Sequence, residues 1–159
     1  MSGEGLPPNG NGSGEAPRLQ LLAQYVKDLS FENPGAPMNA TVRPAIDLNV
    51  DLQARRMEAD QYEIELRLRI SAKHEDRTLF LMELSYAGVA FIQNVPEDVI
   101  SQVLLIEIPH MLFPFARRVV ADTIRDGGMP PLMIEPIDFA ALYRAKAEQQ
   151  QAGTPTASA

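Results

Sequence analysis

Tyr62-Glu63-Ile64-Glu65-Leu66-Arg67-Leu68-Arg69-Ile70 alternates apolar and charged side chains without a break. Successive side chains of an extended chain point to opposite faces, so this stretch predicts a strand with one buried and one solvated face. The same period of two recurs on either side. Upstream, Ile46, Leu48, Val50 and Leu52 alternate with Asp47, Asn49 and Asp51; downstream, Phe80, Met82, Leu84 and Tyr86 form one face and Leu79, Leu81, Glu83 and Ser85 the other. Between the last two strands, Lys73-His74-Glu75-Asp76 is short and polar, as a hairpin connection should be.

Leu19 to Phe31 fits two patterns. Leu19, Leu21, Ala23, Tyr25, Leu29 and Phe31 suit a strand, while Leu19, Leu22, Val26 and Leu29 suit a helix. After Asn94-Val95-Pro96 the period changes. Proline at a helix start with Glu97 and Asp98 in the first turn opens a helix, and Gly127-Gly128 closes it. Pro109 and Pro114 should kink or break that helix. Met129 to Pro136 contains three prolines and reads as extended; Asp138 caps a short last helix from Phe139 to about Gln149. Along the long helix, Val99, Ile100, Val103, Leu104, Leu105, Ile106, Ile108, Met111, Leu112, Phe113 and Phe115 cover nearly the whole circumference. A helix apolar all round is buried all round, and one sheet covers only one side of it, so another subunit should cover the rest.

The chain has 159 residues, 45% of them hydrophobic and 22% charged, which is enough for one domain with tails. Met1 to Pro17 and Gln149 to Ala159 are Gly-, Pro- and polar-rich and are expected to be disordered, with the ordered domain spanning 18–148. There is no cysteine, which excludes disulfides, thiolate catalysis and cysteine-bound metal and suits a reducing compartment. The N-terminus has no basic start and no apolar run, unlike a secretory signal. Val99 to Phe115 is interrupted by Gln102, Glu107, Pro109, His110 and Pro114, so a membrane span is not expected. A net charge of -7 disfavours duplex nucleic acid as a partner and favours basic ones. His74 reads as a turn residue and His110 as a helix-break or interface residue. No Ser/His/Asp set and no phosphate-binding loop is present, so neither an enzyme nor a cofactor is expected. Asp47, Asn49, Asp51 and Glu58 imitate a calcium loop, but Leu52 stands where that loop needs glycine, and the carboxylates read as a solvated strand face.

Lys27-Asp28-Leu29-Ser30-Phe31-Glu32-Asn33-Pro34-Gly35-Ala36-Pro37 resembles the K-D-I-S-F-E-x-P-x-A-P signature of SecB, the bacterial protein-export chaperone family. Asp60 to Ile64 and Phe80 to Leu84 are similar to its inner strands, Leu112 to Arg117 to its helix break, and Pro131 to Phe139 to the approach to its last helix. The likeness extends from about Leu19 to Gln149; Phe115 replaces a common tyrosine, and the N-terminal tail is longer and Gly-rich. The resemblance implies that Leu19 to Phe31 is a strand. The expected class is therefore α+β, a four-stranded antiparallel sheet followed by a long kinked helix and a short C-terminal one, assembled as a dimer of dimers. It further implies a cytoplasmic chaperone that holds precursor proteins unfolded without nucleotide and passes them to SecA. Asp28, Glu32, Leu81 and Glu83 match the acidic SecA-docking set, each pair sharing one strand face. Phe31, Val42, Met133, Phe139, Leu142 and Tyr143 are the candidates for an apolar client groove. Met82, Leu84 and Tyr86, with Leu105 and Leu112, are expected to support the helix layer and the tetramer. The rival readings are a small-ligand carrier or enzyme with a pocket between sheet and helix, and a SecB-like chaperone dedicated to another client such as an antitoxin.

Overall fold

The computed structural model describes residues 14–39 and 41–153. Four strands, β1 (Arg18–Glu32), β2 (Ala45–Arg56), β3 (Gln61–His74) and β4 (Arg77–Gln93), form one antiparallel sheet in the order β1-β4-β3-β2. The alternating stretch is the centre of β3. Its even-numbered residues meet the even-numbered residues of β2 and β4 in register, Leu48 opposite Ile70 and Ile70 opposite Met82. Ile64, Leu66, Ile70 and Met82 have no exposed surface at all. Turns at Asp60 and Glu75 take a positive φ, which lets strands of this length fold back at once. The β3–β4 hairpin is tighter than the polar run suggested, since Lys73 and His74 still belong to β3.

Leu19 to Phe31 is a strand, and the register explains why its pattern is mixed. Pairing with β4 slips between Leu21 and Ala23 and again between Val26 and Asp28, leaving Leu22 and Lys27 as extra residues. Each bulge resets the side-chain alternation. Leu19 and Leu21, then Gln24 and Val26, then Leu29 and Phe31 consequently fall on the same side of the sheet.

The helices cross that side. α1 (Glu97–Gln102) runs through a π-helical turn (Val103–Glu107) into α2 (Ile108–Asp126), and α3 (Phe139–Ala152) follows an extended link. Leu104, Ile108, Leu112, Ala116, Val120 and Ile124, spaced four apart, form the buried stripe. Gly88 makes the closest approach possible. A Cβ there would stand 2.8 Å from Leu112 Cδ2 and 3.1 Å from Leu21 Cδ1, so the helix rests on bare backbone. Asp138 caps α3 as expected, its Oδ1 accepting from the Ala141 amide at 3.0 Å.

Of the kink or break expected at each proline the break does not occur, and the last helix is longer than expected. Pro109 does not break the helix: the Ile108 amide donates to the Val103 carbonyl five residues back, and this widened turn takes the ring away from the carbonyl it would otherwise strike. Pro114 sits inside α2, which continues to Asp126. The last helix also runs to Ala152, through Gln149 and its neighbours that were expected to be tail, because Ala, Glu and Gln are good helix formers and Gly153 is the first residue to stop them. The rest of that tail, and most of the N-terminal one, lie outside the described residues; Gly14 to Pro17 are irregular and exposed. The continuous helix from Glu97 to Asp126 is long and apolar enough to cross a bilayer, with a mean hydropathy of 1.6 over its best window. Here its inner stripe is instead packed on β3 and β4.

Candidate functional site

The sheet has a helix side and an outer side, and the outer side is polar. Register places Ser30 opposite Glu83, Glu32 opposite Leu81 and Asp28 opposite Ser85. Asp28, Glu32, Leu81 and Glu83 therefore form one corner of that face. Asp28, Glu32 and Glu83 are exposed and Leu81 half-buried. Asp47, Asn49 and Asp51 lie on the same side along β2, strung out on an extended strand rather than wrapped in a loop.

Next to the corner is a charged cluster that alternation alone does not reveal. Glu63 and Glu65 are only 6% and 8% exposed, although they belong to the charged side of β3. Ala87 stands between Tyr25 and Glu65 in the register, and its short side chain leaves room for groups of β1 and β3 to meet over β4. Lys27, the extra residue of the second bulge, reaches across β4 to Glu63 Oε1 at 2.7 Å and Glu65 Oε2 at 3.5 Å. The Tyr25 hydroxyl donates to Glu63 and Arg55 lies 3.2 Å from it; Arg67 (2.8 Å) and the Ser85 hydroxyl (2.5 Å) hold Glu65. Hydrogen bonds from Lys27 and then Tyr25 lower the Glu63 carboxyl to about 2. Burial pushes Glu65 up, but bonds from Arg67 and Ser85 outweigh it and leave it lowered. The bond to Glu63 raises both Tyr25 and Lys27. A spacing rule could not find this cluster whole, because Tyr25 and Lys27 reach Glu63 from across β4 and Arg55 reaches it from the neighbouring β2.

On the helix side, at the same end of the sheet, an open, mainly apolar groove of about 550 Å³ is lined by Met38, Val42, Pro44, Ile46, Phe80, Ile124, Met129, Pro130, Pro131 and Leu132, with Arg43 its one charged residue. Phe31 stacks against Phe80 at 5.8 Å between ring centroids. Its ring also needs Gly127, where a Cβ would come within 2.7 Å. Asn33 Nδ2 donates to the Gly127 carbonyl at 2.8 Å and so ties the end of β1 to the end of α2.

The six client-groove candidates do not come together. Val42 lines the groove and Phe31 abuts it through Phe80. Leu142 and Tyr143 line a separate small cleft with Val50, Leu52 and Leu105. Phe139 is 3% exposed and packs edge-on against Phe113, while Met133 projects into solvent. Met38, Phe80, Met129 and Leu132 were missed, because a loop, a strand and a helix end contribute one or two residues each. Met82, Leu84, Tyr86 and Leu112 are also re-placed. They are almost fully buried within the single chain, under its own helices, and Leu105 is half-buried. Within the single chain they support the helix layer. The large hydrophobic side chains that the described helices leave exposed are Val99, Met111 and Phe115. His74 ends β3 beside Glu75, and His110 is exposed near the start of α2.

Comparison with known proteins agrees with this architecture. The family described as "Preprotein translocase subunit SecB" matches residues 12–150. The protein-export protein SecB of Parvibaculum lavamentivorans is 51% identical over 147 residues, covering 89% of this chain and 88% of its own. The SecB of Maricaulis maris is 50% identical over 153 residues, covering 93% and 88%. Among solved structures, a SecB-like chaperone of Mycobacterium tuberculosis, in complex with a peptide from an antitoxin, superposes with a TM-score of 0.66 over 76% of this chain and 91% of its own at 14% identity, a likeness of fold. With the family match spanning nearly the whole described sheet and helix layer, the chain belongs to the SecB family of preprotein translocase subunits.

Proposed function

We propose that the chain is an ATP-independent holdase of the cytoplasm, which keeps precursor proteins unfolded and delivers them to SecA. The observation that carries this reading is that an acidic corner and an apolar groove occupy opposite sides of one end of the same sheet. An unfolded chain exposes apolar side chains, and an open apolar groove captures them without reading sequence. The carboxylates on the other side are left to attract a basic partner. No step of this role is chemical. An antitoxin-dedicated chaperone would have no use for the acidic corner.

A dimer of dimers fits the surfaces left uncovered. Leu19, Leu22, Val26 and Leu29 are each more than 40% exposed along β1, a 15-residue edge strand with unpaired backbone groups, suited to edge-to-edge pairing. Val99, Met111 and Phe115 offer a second apolar face for helices to meet across.

Two sets of variants test the reading. Val42→Glu with Leu132→Glu puts charges in the groove and is expected to weaken capture of a denatured precursor about tenfold or more while leaving SecA binding unchanged. Fluorescence anisotropy of a labelled precursor measures the first, and unchanged capture would move the client site elsewhere. Asp28→Lys with Glu32→Lys is expected to do the reverse, weakening SecA binding about tenfold with precursor capture intact, and most strongly at low salt. Wild-type affinity for SecA in that variant would move the docking surface off this face. Phe139→Ser is a poor test, since it would empty a core position at the start of α3.

A further inference from the structure

We infer that Arg69 sets the specificity of the acidic corner by occupying one of its three carboxylates, an inference that rests on the reading that this face receives SecA. Arg69 stands directly opposite Glu83 in the β3–β4 register, and its Nε lies 3.2 Å from Glu83 Oε1. Both side chains remain accessible, at 64% and 49% exposure, so an incoming cation can compete for the pair. Asp28 and Glu32, by contrast, have no ion-pair partner among the described residues. The corner thus offers two free carboxylates and one that is already answered.

Arg69 also divides the outer face. With Asn49 it borders two shallow hollows, one of about 490 Å³ containing Asp28, Asp51, Glu65, Glu83 and Arg67, which is held by Glu65 at 2.8 Å, and one of about 370 Å³ containing Asp47, Lys73 and Leu81. A basic segment that runs from the corner toward the middle of the sheet meets a guanidinium there. It must displace Arg69 from Glu83, or present a neutral or acidic group above it. Arg69 therefore favours a partner whose cations are confined to the Asp28–Glu32 side, and penalises a uniformly basic one.

The test is SecA affinity of the full-length protein for wild type, Arg69→Gln, Arg69→Lys, Glu83→Gln and the double variant Arg69→Gln/Glu83→Gln. An exposed ion pair of this kind changes an equilibrium by about two- to fivefold. Arg69→Gln is expected to tighten SecA binding by that factor and to steepen its salt dependence, while Arg69→Lys, which keeps the cation, binds as wild type. Glu83→Gln should cost more in the Arg69→Gln background than alone, because only there is the carboxylate free. An Arg69→Gln protein that binds SecA no more tightly than wild type overturns the inference, provided the Asp28→Lys/Glu32→Lys control has lost binding. If that control binds normally, the docking reading fails first, and this inference with it.

Discussion

Leu112→Asp is expected to unfold the chain, whereas Met111→Arg with Phe115→Arg, one residue before and three after it, should leave the fold intact and change only the assembly. The contrast follows from which way each side chain points. Leu112 has no exposed surface and lies on the backbone of Gly88. A carboxylate there loses the burial of a leucine, about 2–5 kcal/mol, and places an unpaired charge in the core at a cost of several more. A single domain of this size has roughly 5–15 kcal/mol in hand, so circular dichroism should show loss of structure. Met111 and Phe115 are 42% and 50% exposed. Substitutions at such positions change the stability of an isolated chain by about 0.5 kcal/mol or less. Between two copies, the same arginines would be desolvated without partners. Sedimentation should then show smaller species with native circular dichroism, and an unchanged mass would mean that this helix face is not the contact.

Glu63→Gln is expected to destabilise the fold by about 1–3 kcal/mol at neutral pH, the usual range for losing hydrogen bonds to a charged group. Folding lowers this carboxyl from 4.5 to about 2. Its contribution is therefore fully present above about pH 4.5 and is lost as the pH falls toward 2. Lys27 and Tyr25 would face an amide that cannot accept their bonds as a carboxylate does. Urea unfolding of both proteins should give a wide stability gap at pH 7 that narrows steadily below about pH 4.5. A gap that stays constant over that range would mean that the cluster acts through packing, not through the charge of Glu63.

The same residues show how far the sequence could be read. Alternation in 62–70 and 80–86 gave the sheet and both its sides, because a period of two assigns every side chain to a face once one face is apolar. The acidic corner was legible through the family resemblance, to which strand parity added that Asp28 with Glu32, and Leu81 with Glu83, each share one face. In β1 the same rule failed, since Leu22 and Lys27 are extra residues that reset the parity twice. The burial of Glu63 and Glu65 was invisible because their partners come from β1, β2 and β4. The apolar positions of the long helix cover nearly its whole circumference, so the sequence did not say which of them face the sheet. Leu112 turned out to face inward and Met111 and Phe115 outward, a division set by the π turn ahead of Pro109, which rotates everything after it. The groove was legible only in part, through Val42 and Phe31, since its lining comes from a loop, two strands, a helix end and an extended link that the chain order keeps apart.

The most direct test of the account is the refolding of a slow-folding precursor, diluted from denaturant into wild-type protein with no nucleotide present. The account predicts that folding and aggregation are both suppressed in proportion to the chaperone added, and that SecA, presented with the complex, takes the precursor up. A precursor that folds or aggregates at the same rate with and without the protein would contradict it.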